Sequence, residues 1–419
     1  MLVMEMSKKE QQVPTIRFKG FTETWEQRKL ENIFGKIRNA FVGTATPYYV
    51  ENGHFYLESN NIKNGQINRN SEIFINDEFY EKQRDKWLHT NDLVMVQSGH
   101  VGHTAVIPEE LDGSAAHALI MFQDYKVKSN PYFLNYQFQT SDSRKKLDNI
   151  TTGNTIKHIL ASEMKKFEVS LPNPEEQTKI GAFFKHLDDT IALHQLRLNR
   201  YKELRQGMLE KMFPQDGEKF PRIRFNGFED EWEQRQLGEI SEKVTEKNKN
   251  NSFSETLTNS AEYGIINQRD FFDKDISNEK NLNSYYIVHP DDFVYNPRVS
   301  NFAPVGPIGR NKLGRTGVMS PLYYVFRIHN IDKTFLEKYF SSDGWHKFMK
   351  LNGDSGARSD RFAIKDAVFQ EMPIPFPRLD EQIQIGDYFN HLEKTIDLHH
   401  QKVNNYKQLK KLMLRHMFI

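Results

Sequence analysis

The chain carries one pattern twice, and this internal repeat limits its possible folds more than any other feature. The segment PTIRFKGF begins at Pro14 and WEQRKL begins at Trp25. They return as PRIRFNGF from Pro221 and WEQRQL from Trp232, the latter displaced by 207 residues. Because a solenoid needs three or more repeats, two copies of one module predict a pseudo-twofold molecule.

A second repeated block has the pattern of a long helix. EQTKIG from Glu176 returns as EQIQIG from Glu381, displaced by 205 residues. From each copy toward the C-terminus, apolar residues recur three or four positions apart as far as Met212 and Met417. This spacing places them on one side of a helix. Neither helix has an obvious apolar partner within its own half, so we expect the two helices to pack antiparallel.

The regions between the repeated blocks, 38–165 and 245–370, have little in common. Short apolar runs bounded by Gly, Pro and Asn predict strands, with helical patches between them. The expected strands are 93–96, 284–288, 293–295 and 322–326, and a helical patch is expected at 334–349. The expected fold class is therefore α+β (mixed α/β), with two globular domains joined by two long antiparallel coiled-coil helices.

The repeat also predicts domain boundaries. We expect a disordered tail at 1–13, a first domain at 14–170, a helical spacer at 171–213, a second domain at 214–376 and a second spacer at 377–419. A chain of 419 residues is too long for one ordinary core, which agrees with two domains.

Composition excludes several classes of protein. No run approaches the roughly 20 apolar residues that cross a bilayer, and charged residues at 8–10 interrupt the start where a signal peptide needs an apolar run. These features predict a cytoplasmic protein. The absence of cysteine excludes disulfides, thiolate metal sites and a thiol nucleophile.

Net charge gives no global sign of a nucleic-acid partner, since it is +1. Any DNA-binding surface must therefore be local. The segment 293–331 contains neither Asp nor Glu and is either such a surface or a chance gap in the acids. Its basic residues are Arg298, Arg310, Lys312, Arg315 and Arg327.

Recognition of bases uses Arg or Lys for guanine and Asn or Gln for adenine, with further basic groups on phosphates. Turn-rich segments carry such residues in both halves. The candidates in the first half are Asn60, Asn61, Lys63, Gln66, Ser98, His100, Thr155, Lys157 and His158. Those in the second half are Asn267, Gln268, Arg269, Asn296, Arg298, Asn301, Arg310, Lys312, Arg315, Arg358 and Arg361. For each of them the alternative is a solvated loop residue.

Three near-matches to catalytic motifs each lack a needed group. The segment 309–316 resembles a phosphate-binding P-loop, but Arg315 stands where lysine is required and a strand, not a helix, is expected next. Asp148, Glu163 and Lys165 form only a loose nuclease-like set in a chain with 27% charged residues. An amino-methyltransferase needs a glycine pair and Asn-Pro-Pro-Tyr, which are incomplete here. We therefore expect the chemistry to reside in a partner.

Two further residue types have structural interpretations. His194 and His399 lie on the helical stripes, where a polar residue in the seam is expected rather than a metal ligand. Trp25 and Trp232 stand at matched positions among apolar neighbours, so we expect core residues rather than base-stacking platforms.

Several of these motifs together resemble the DNA specificity subunits of type I restriction-modification systems. The resemblance rests on the Arg-Phe-x-Gly-Phe…Trp-Glu opening, PDDFVYN at 290–296, GVMSPLY at 317–323 and the Glu-Gln…Ile-Gly helices, and it covers nearly the whole chain. The first half departs from it, because its nearest counterpart of 317–321 is the poor match at 113–119.

This resemblance implies a non-catalytic protein. Each half would be a target-recognition domain for one part of a split, asymmetric site on double-stranded DNA, and the helices would connect the domains. The implied partners are two modification subunits, which bind S-adenosylmethionine and methylate adenine, and restriction subunits that use ATP and Mg²⁺. No cofactor is expected in this chain.

Two other functions remain open at this point. One is a methyltransferase or nuclease that acts alone, which incubation of the purified chain with DNA, cofactor and Mg²⁺ would detect. The other is a coiled-coil adaptor without DNA binding, against which the loop-rich globules with their Arg and Asn residues argue.

Overall fold

The computed structural model describes residues 13–153, 157–215, 217–271, 279–354 and 360–419. The chain divides into two compact units. Unit 1 comprises Met1–Gln195 and Gln401–Ile419, and unit 2 comprises Leu196–His400. Each unit therefore contains one globular domain together with parts of both long helices. Except for Val13, the tail expected at 1–13 lies outside the described residues.

Unit 1 contains the first set of strands and short helices. The strands are β1 Glu26–Lys29, β2 Phe34–Asn39, β3 Tyr49–Val50, β4 His54–Leu57, β5 Ile62–Lys63, β6 Gln66–Ile67, β7 Phe74–Ile75, β8 Leu93–Val96, β9 Thr104–Val106, β10 Ala115–Ala116, β11 Leu119–Tyr125 and β12 Glu168–Leu171. The helices are α1 Asp77–Glu81, α2 Pro131–Gln137, α3 Ser141–Ile150 and α4 Ala161–Lys166. The long helix α5, Pro174–Lys211, begins in this unit and ends in unit 2.

The main sheet of unit 1 is antiparallel in the order β2-β11-β8-β9, and both of its faces are covered. All four residues of β8 are buried. Leu93 and Met95 belong to one hydrophobic cluster, whereas Val94 and Val96 belong to another. Successive side chains of a strand point to opposite faces, so a strand covered on both sides needs an uninterrupted apolar run.

Unit 2 repeats this architecture. Its strands are β13 Glu233–Gln236, β14 Ser241–Lys243, β15 Leu257–Ser260, β16 Gly264–Asn267, β17 Tyr286–Val288, β18 Phe293–Tyr295, β19 Ile308–Arg310, β20 Gly317–Met319, β21 Tyr324–Ile328 and β22 Pro373–Phe376. Its short helices are α6 Leu237–Ile240, α7 Gln268–Phe271, α8 Lys333–Phe340, α9 His346–Asn352 and α10 Asp366–Gln370, and the long helix α11 is Leu379–His416. The sheet β14-β21-β18-β19 corresponds to β2-β11-β8-β9, and the β13/β22 ribbon corresponds to β1/β12.

The repeated sequence blocks are explained by contacts that occur once in each unit. In unit 1, Arg17 donates two hydrogen bonds to the buried carboxylate of Glu176, at 2.6 and 2.7 Å. Arg224 and Glu381 make the same pair in unit 2, at 2.7 and 2.8 Å. The Arg-Phe motif and the Glu-Gln motif are thus two halves of one buried ion pair.

The Gln and Gly of the helix motif hold each long helix against a short one. Gln177 accepts a hydrogen bond from the backbone of Asn130, which caps α2, at 3.0 Å. Gly181 lies so close to Asn130 that an added Cβ would be 2.5 Å from its side-chain oxygen. Gln382 makes the equivalent hydrogen bond with Asp332, the cap of α8, at 2.8 Å. The close approach of α5 to the cap of α2 therefore requires glycine at position 181.

Within each unit the two long helices run antiparallel and make matched contacts. In unit 1 His194 stacks on Tyr406, with ring centroids 5.7 Å apart. In unit 2 Tyr201 stacks on His399 at 5.5 Å. Since His194 corresponds to His399 and Tyr201 to Tyr406 in the repeat, the same pair forms twice with the helices exchanged. The expected antiparallel packing and seam positions of the histidines are confirmed within each unit.

The ends of the long helices complete the cores. Phe418 packs on Trp25 in unit 1 with centroids 6.2 Å apart, and Phe213 packs on Trp232 in unit 2 at 6.4 Å. The tryptophans are 5% and 6% exposed, which confirms them as core residues. The mixed fold class and the two repeated domains are also confirmed, and the helical patch expected at 334–349 is the pair α8 and α9.

Candidate nucleic-acid interface

An open cavity of about 600 Å³ in unit 2 collects side chains from separate loops. Four sequence-predicted residues line it, namely Gln268, Asn296, Arg298 and Arg361. They come from the start of α7, from the loop after β18 and from the segment before α10. Because base recognition needs several donors and acceptors on one surface, this convergence makes the cavity the candidate site of unit 2.

Backbone pairing between two loops fixes the arginines of this site. Arg298 and Arg361 form an antiparallel bridge, flanked by a hydrogen bond from Phe362 N to Pro297 O at 2.7 Å. Both arginines are exposed. Among the described residues, no carboxylate lies within salt-bridge distance of either one. The pair therefore presents free guanidinium groups at the rim of the cavity.

The amide side chains near this cavity have different roles. Asn296 donates to Asn259 O at 2.8 Å and accepts from Arg298 N at 3.0 Å, so it shapes the loop. Asn267 is similarly occupied, since it donates to Glu255 and accepts from Arg269 N. Gln268 differs, because its buried Oε1 accepts no hydrogen bond from any described residue. The buried Oδ1 of Asn259, which lines the same cavity, likewise accepts no hydrogen bond from a described residue, so both amides can accept one from a ligand.

Most of the basic residues expected to form a DNA-facing segment instead make ion pairs within unit 2. Arg315 donates to both carboxylate oxygens of Glu255, at 2.7 and 2.8 Å, and lowers the pKa of that carboxyl. Arg310 and Lys312 contact Glu337 at 2.8 and 2.9 Å. Arg327 pairs with Asp292, at 2.8 and 3.0 Å. Acidic residues outside 293–331 therefore neutralise most of the positive charge of this segment. Arg298 is the basic residue of the segment that lines the candidate site, and it is exposed.

The remaining candidates of unit 2 stand apart from this group. Asn301 and Arg269 are exposed but do not line the cavity, and Arg358 lies outside the described residues. Sequence reasoning missed Phe302, which lines the cavity and is 81% exposed. The sequence did contain a signal for Phe302, namely an aromatic residue beside Asn301 in a predicted turn. Exposed aromatic side chains can stack on bases.

In unit 1, a tight hairpin presents two of the candidates. Asn64 and Gly65 have positive φ, 53° and 85°, as the Asn-Gly turn between β5 and β6 requires. This turn exposes Lys63 and Gln66, which are direct partners across the hairpin and so lie on one face of it. Asn61 is only 2% exposed and its amide holds the preceding loop through Asn68 O and Ser71 O. It is therefore part of the loop scaffold, and its neighbour Asn60 is exposed.

Two other candidate loops of unit 1 pair with each other. Gly99 N donates to Lys157 O at 3.1 Å, and Ser98 forms a bridge with His158. His100, Lys157 and His158 are exposed on this joined surface, whereas Thr155 lies outside the described residues. The structure thus brings together segments some 60 residues apart in sequence.

A second cavity, of about 1070 Å³, adjoins the hairpin and contains two residues that sequence reasoning missed. His103 accepts hydrogen bonds at Nδ1 from Asn64 N at 3.3 Å and from Arg144 at 3.2 Å. Burial and then the nearby charge of Arg144 lower the pKa of His103 to about 4. The imidazole is therefore neutral at pH 7 and acts as an acceptor. Gln66 lines the same cavity.

The motifs that suggested catalysis find no support in the described part of the chain. Strand β20, not a helix, follows 309–316, and no cluster of three or more His, Asp or Glu among the described residues could hold a metal ion. None of the helices described combines the length and apolar character that a membrane crossing requires.

The duplicated fold and the Arg- and Gln-lined loops define a protein with two nucleic-acid-recognition domains. The chain belongs to the type I restriction modification DNA specificity domain family, whose model matches residues 22–203 and 229–408, one copy in each half. Its role is DNA sequence specificity in a type I restriction-modification system, as a non-catalytic specificity subunit.

Two known proteins match nearly the whole chain, and a third matches about a quarter of it. The type I restriction enzyme MjaVIII specificity subunit of Methanocaldococcus jannaschii is 20% identical over 417 residues, which cover 94% of this chain and 91% of that protein. The MjaIX specificity subunit of the same organism is 27% identical over 99 residues, 24% of this chain and 22% of that protein. The crystal structure of the type I S subunit from M. genitalium matches with a TM-score of 0.60 at 13% identity, covering 97% of this chain and 99% of that one, and so shares the fold.

Proposed function

We propose that this chain recognises a bipartite, asymmetric site on double-stranded DNA and carries the catalytic subunits to it. The domain of unit 1 recognises one half-site and the domain of unit 2 the other. Two modification subunits, which bind S-adenosylmethionine, and restriction subunits, which use ATP and Mg²⁺, supply the chemistry. The chain itself binds none of these cofactors.

The main support for this proposal is that the two units share the same framework contacts but differ in the residues of their candidate recognition loops. The buried Arg-Glu pair and the His-Tyr stack occur in both units with nearly the same geometry. The loops differ, since unit 2 presents Arg298 and Arg361 whereas unit 1 presents Lys63 and Gln66. Because different side chains select different bases, two unlike loop sets on one framework support an asymmetric site.

Exchange of one domain tests this proposal. Residues 38–165 would be replaced by the corresponding region of another family member, with the framework at 14–37 and 166–213 retained. Methylome sequencing of a host that carries the assembled system should show one half-site changed and the other preserved, because the two loop sets lie in separate units. Exchange of 245–370 is the matched control and should change only the other half-site. Simultaneous change of both half-sites in either exchange would contradict the proposal.

A further inference from the structure

We propose that the C-terminal turns of α11 form, with Arg144, a groove in unit 1 that binds the phosphates of the DNA backbone. This inference rests on the proposed function and gives one connecting helix a direct part in DNA binding. The groove is the cavity of about 1070 Å³ beside the recognition hairpin, and α11 forms its second wall.

The groove is strongly cationic. Five basic side chains line it, and Asp188 is its lining carboxylate. The basic residues are Arg144, Lys407, Lys410, Lys411 and Arg415. Asp188 is already committed, since it lies 2.7 Å from Lys410 Nζ and accepts a hydrogen bond from Tyr136 at 2.9 Å. In the part of the chain that the structure describes, the other four cations have no carboxylate within 4.0 Å.

Three of these cations form what we call the basic row, Lys407, Lys411 and Arg415. They are exposed and follow each other at four-residue intervals on α11, so they lie along one side of the helix with about 6 Å of rise between neighbours. Among the described residues, no carboxylate lies within 4.0 Å of any member of the row. A line of free cations matches the regularly spaced negative charges of a nucleic-acid strand.

Arg144 of α3 also lines the groove. Its guanidinium is partly buried, and it donates to Nδ1 of His103 at 3.2 Å rather than to a carboxylate. Because His103 is neutral, with a pKa of about 4, it orients the guanidinium without cancelling its charge. Among the described residues, no carboxylate lies within 4.0 Å of Arg144. The more distant charge of Asp148 offsets only part of the cost of burial, which lowers the pKa of Arg144, and an anion bound in the groove offsets more of that cost.

The groove also adjoins groups that suit base edges. Asn64 and Gln66 at the tip of the β5/β6 hairpin line it together with Gln139. Phosphate contacts position a protein on DNA while amides of this kind distinguish bases. This combination favours DNA over an acidic protein segment, for which no neighbouring base-recognition group would be needed.

Comparison with the repeat shows that the framework does not require this charge. The positions on α5 that correspond to the basic row are Lys202, Gln206 and Glu210, so two of the three cations are absent. In unit 2, the cavity of about 600 Å³ that Arg205 of α5 lines has four acids beside its four Arg and Lys residues. The acids are Glu262, Glu337, Asp343 and Glu393. The uncompensated groove is therefore specific to unit 1 and not a general property of a solvated helix.

The test replaces the basic row with glutamine in the full-length chain, as K407Q/K411Q/R415Q. The probes are a duplex that carries the site found methylated in the host and a duplex of equal length with that site shuffled. Binding is measured between about 50 and 200 mM salt. We expect the variant to bind both duplexes at least about tenfold more weakly. The slope of log affinity against log salt should become shallower by about 0.9 for each phosphate that the variant no longer neutralises.

A matched control removes three exposed cations from the other helix, as R197Q/R200Q/K202Q, and should keep the wild-type slope. The charge-retaining variant K407R/K411R should also bind like the wild type. Equal melting temperatures would exclude unfolding as a cause, and phosphate-ethylation interference should weaken in the basic-row variant beside one half-site only.

Different failures have different meanings. An unchanged salt slope in the basic-row variant, with wild-type preference for the methylated site intact, would overturn the groove proposal alone. Loss of co-purifying subunits with unchanged DNA binding would assign the groove to a protein partner and overturn it as well. If the wild-type chain bound the duplex with the host-methylated sequence no more tightly than the shuffled duplex, the proposed function itself would fail.

Discussion

At the scale of single residues, the framework depends on two buried ion pairs that the repeat places at equivalent positions. Glu176 is fully buried and its partner Arg17 is 12% exposed, while Glu381 and Arg224 are 0% and 13% exposed. Each pair joins the start of a domain to the start of a long helix. These pairs therefore determine where each domain stands on its own helix.

Loss of one arginine should strongly destabilise its unit. Arg17→Ala leaves the carboxylate of Glu176 buried without a partner, and we expect the free energy of unfolding of unit 1 to fall by about 3–5 kcal/mol. Denaturant unfolding measures this change. Arg28→Ala is the control, since its pair with Glu26 is exposed and contributes little to stability. R17A/E176Q should recover part of the loss because no buried charge remains, and equal effects of R17A and R28A would contradict this account.

The pKa values of two histidines in unit 1 should be shifted in opposite directions. Burial and the charge of Arg144 lower the pKa of His103 to about 4, whereas a hydrogen bond with Glu58 raises the pKa of His117 above 6.5. Between about pH 6.5 and 4 the unfolded chain binds a proton at residue 103 that the folded chain does not, so His103 makes stability fall as the pH is lowered through this window.

His117 contributes stability below its unfolded pKa, and this contribution is lost as the pH rises through its raised folded pKa. NMR titration of the ring protons should resolve the two values, and His103→Gln should remove the stability loss assigned to residue 103. Similar pKa values for both rings would be inconsistent with the described surroundings.

Ion-pair partners are beyond what the sequence alone can predict. The segment 293–331 lacks acids, yet its Arg315 meets Glu255, which lies 60 positions earlier. Charge along the chain cannot show which side chains a fold brings together. The basic row is within reach of sequence reasoning, because Arg415 corresponds to Glu210 in the other copy and comparing the two copies reveals the excess of positive charge.

At the scale of elements, strong periodicity gives the reliable predictions. The strand at 93–96 has the bounds that the sequence predicts, and the long helices agree to within a few residues, because a continuous buried run and a three-four spacing depend only on local sequence. Short elements such as β3 and β10 are absent from the sequence-based expectation. They are two residues long and exist through tertiary pairing, which leaves no periodic signal.

The matched contacts of the long helices also show why each unit needs both of them. In unit 1 Asp188 of α5 pairs with Lys410 of α11 at 2.7 Å, and in unit 2 Glu393 of α11 approaches Arg205 of α5 at 3.3 Å. An acid and a base at equivalent positions thus meet twice. Any change of length in one helix alone would break the register of these pairs.

At the scale of the whole molecule, both long helices pass from one unit to the other, α5 after Gln195 and α11 after His400. These points correspond to each other in the repeat, being 205 residues apart. A heptad inserted at both points retains the apolar spacing and the matched pairs on either side. A heptad inserted into α5 alone does not, so a test of helix length requires the double insertion.

The double insertion should lengthen the spacer between the half-sites without changing either half-site. Seven helical residues add roughly 10 Å, which equals about three base pairs at 3.4 Å each. Each added base pair also rotates the second half-site by roughly 35°, so the accepted increase is at most about three. Methylome sequencing of a host with the altered chain reads the spacer directly, and the single insertion in α5 is the control, expected to lose modification. An unchanged spacer together with altered half-site sequences would show that the helices do not set the distance between the bases recognised.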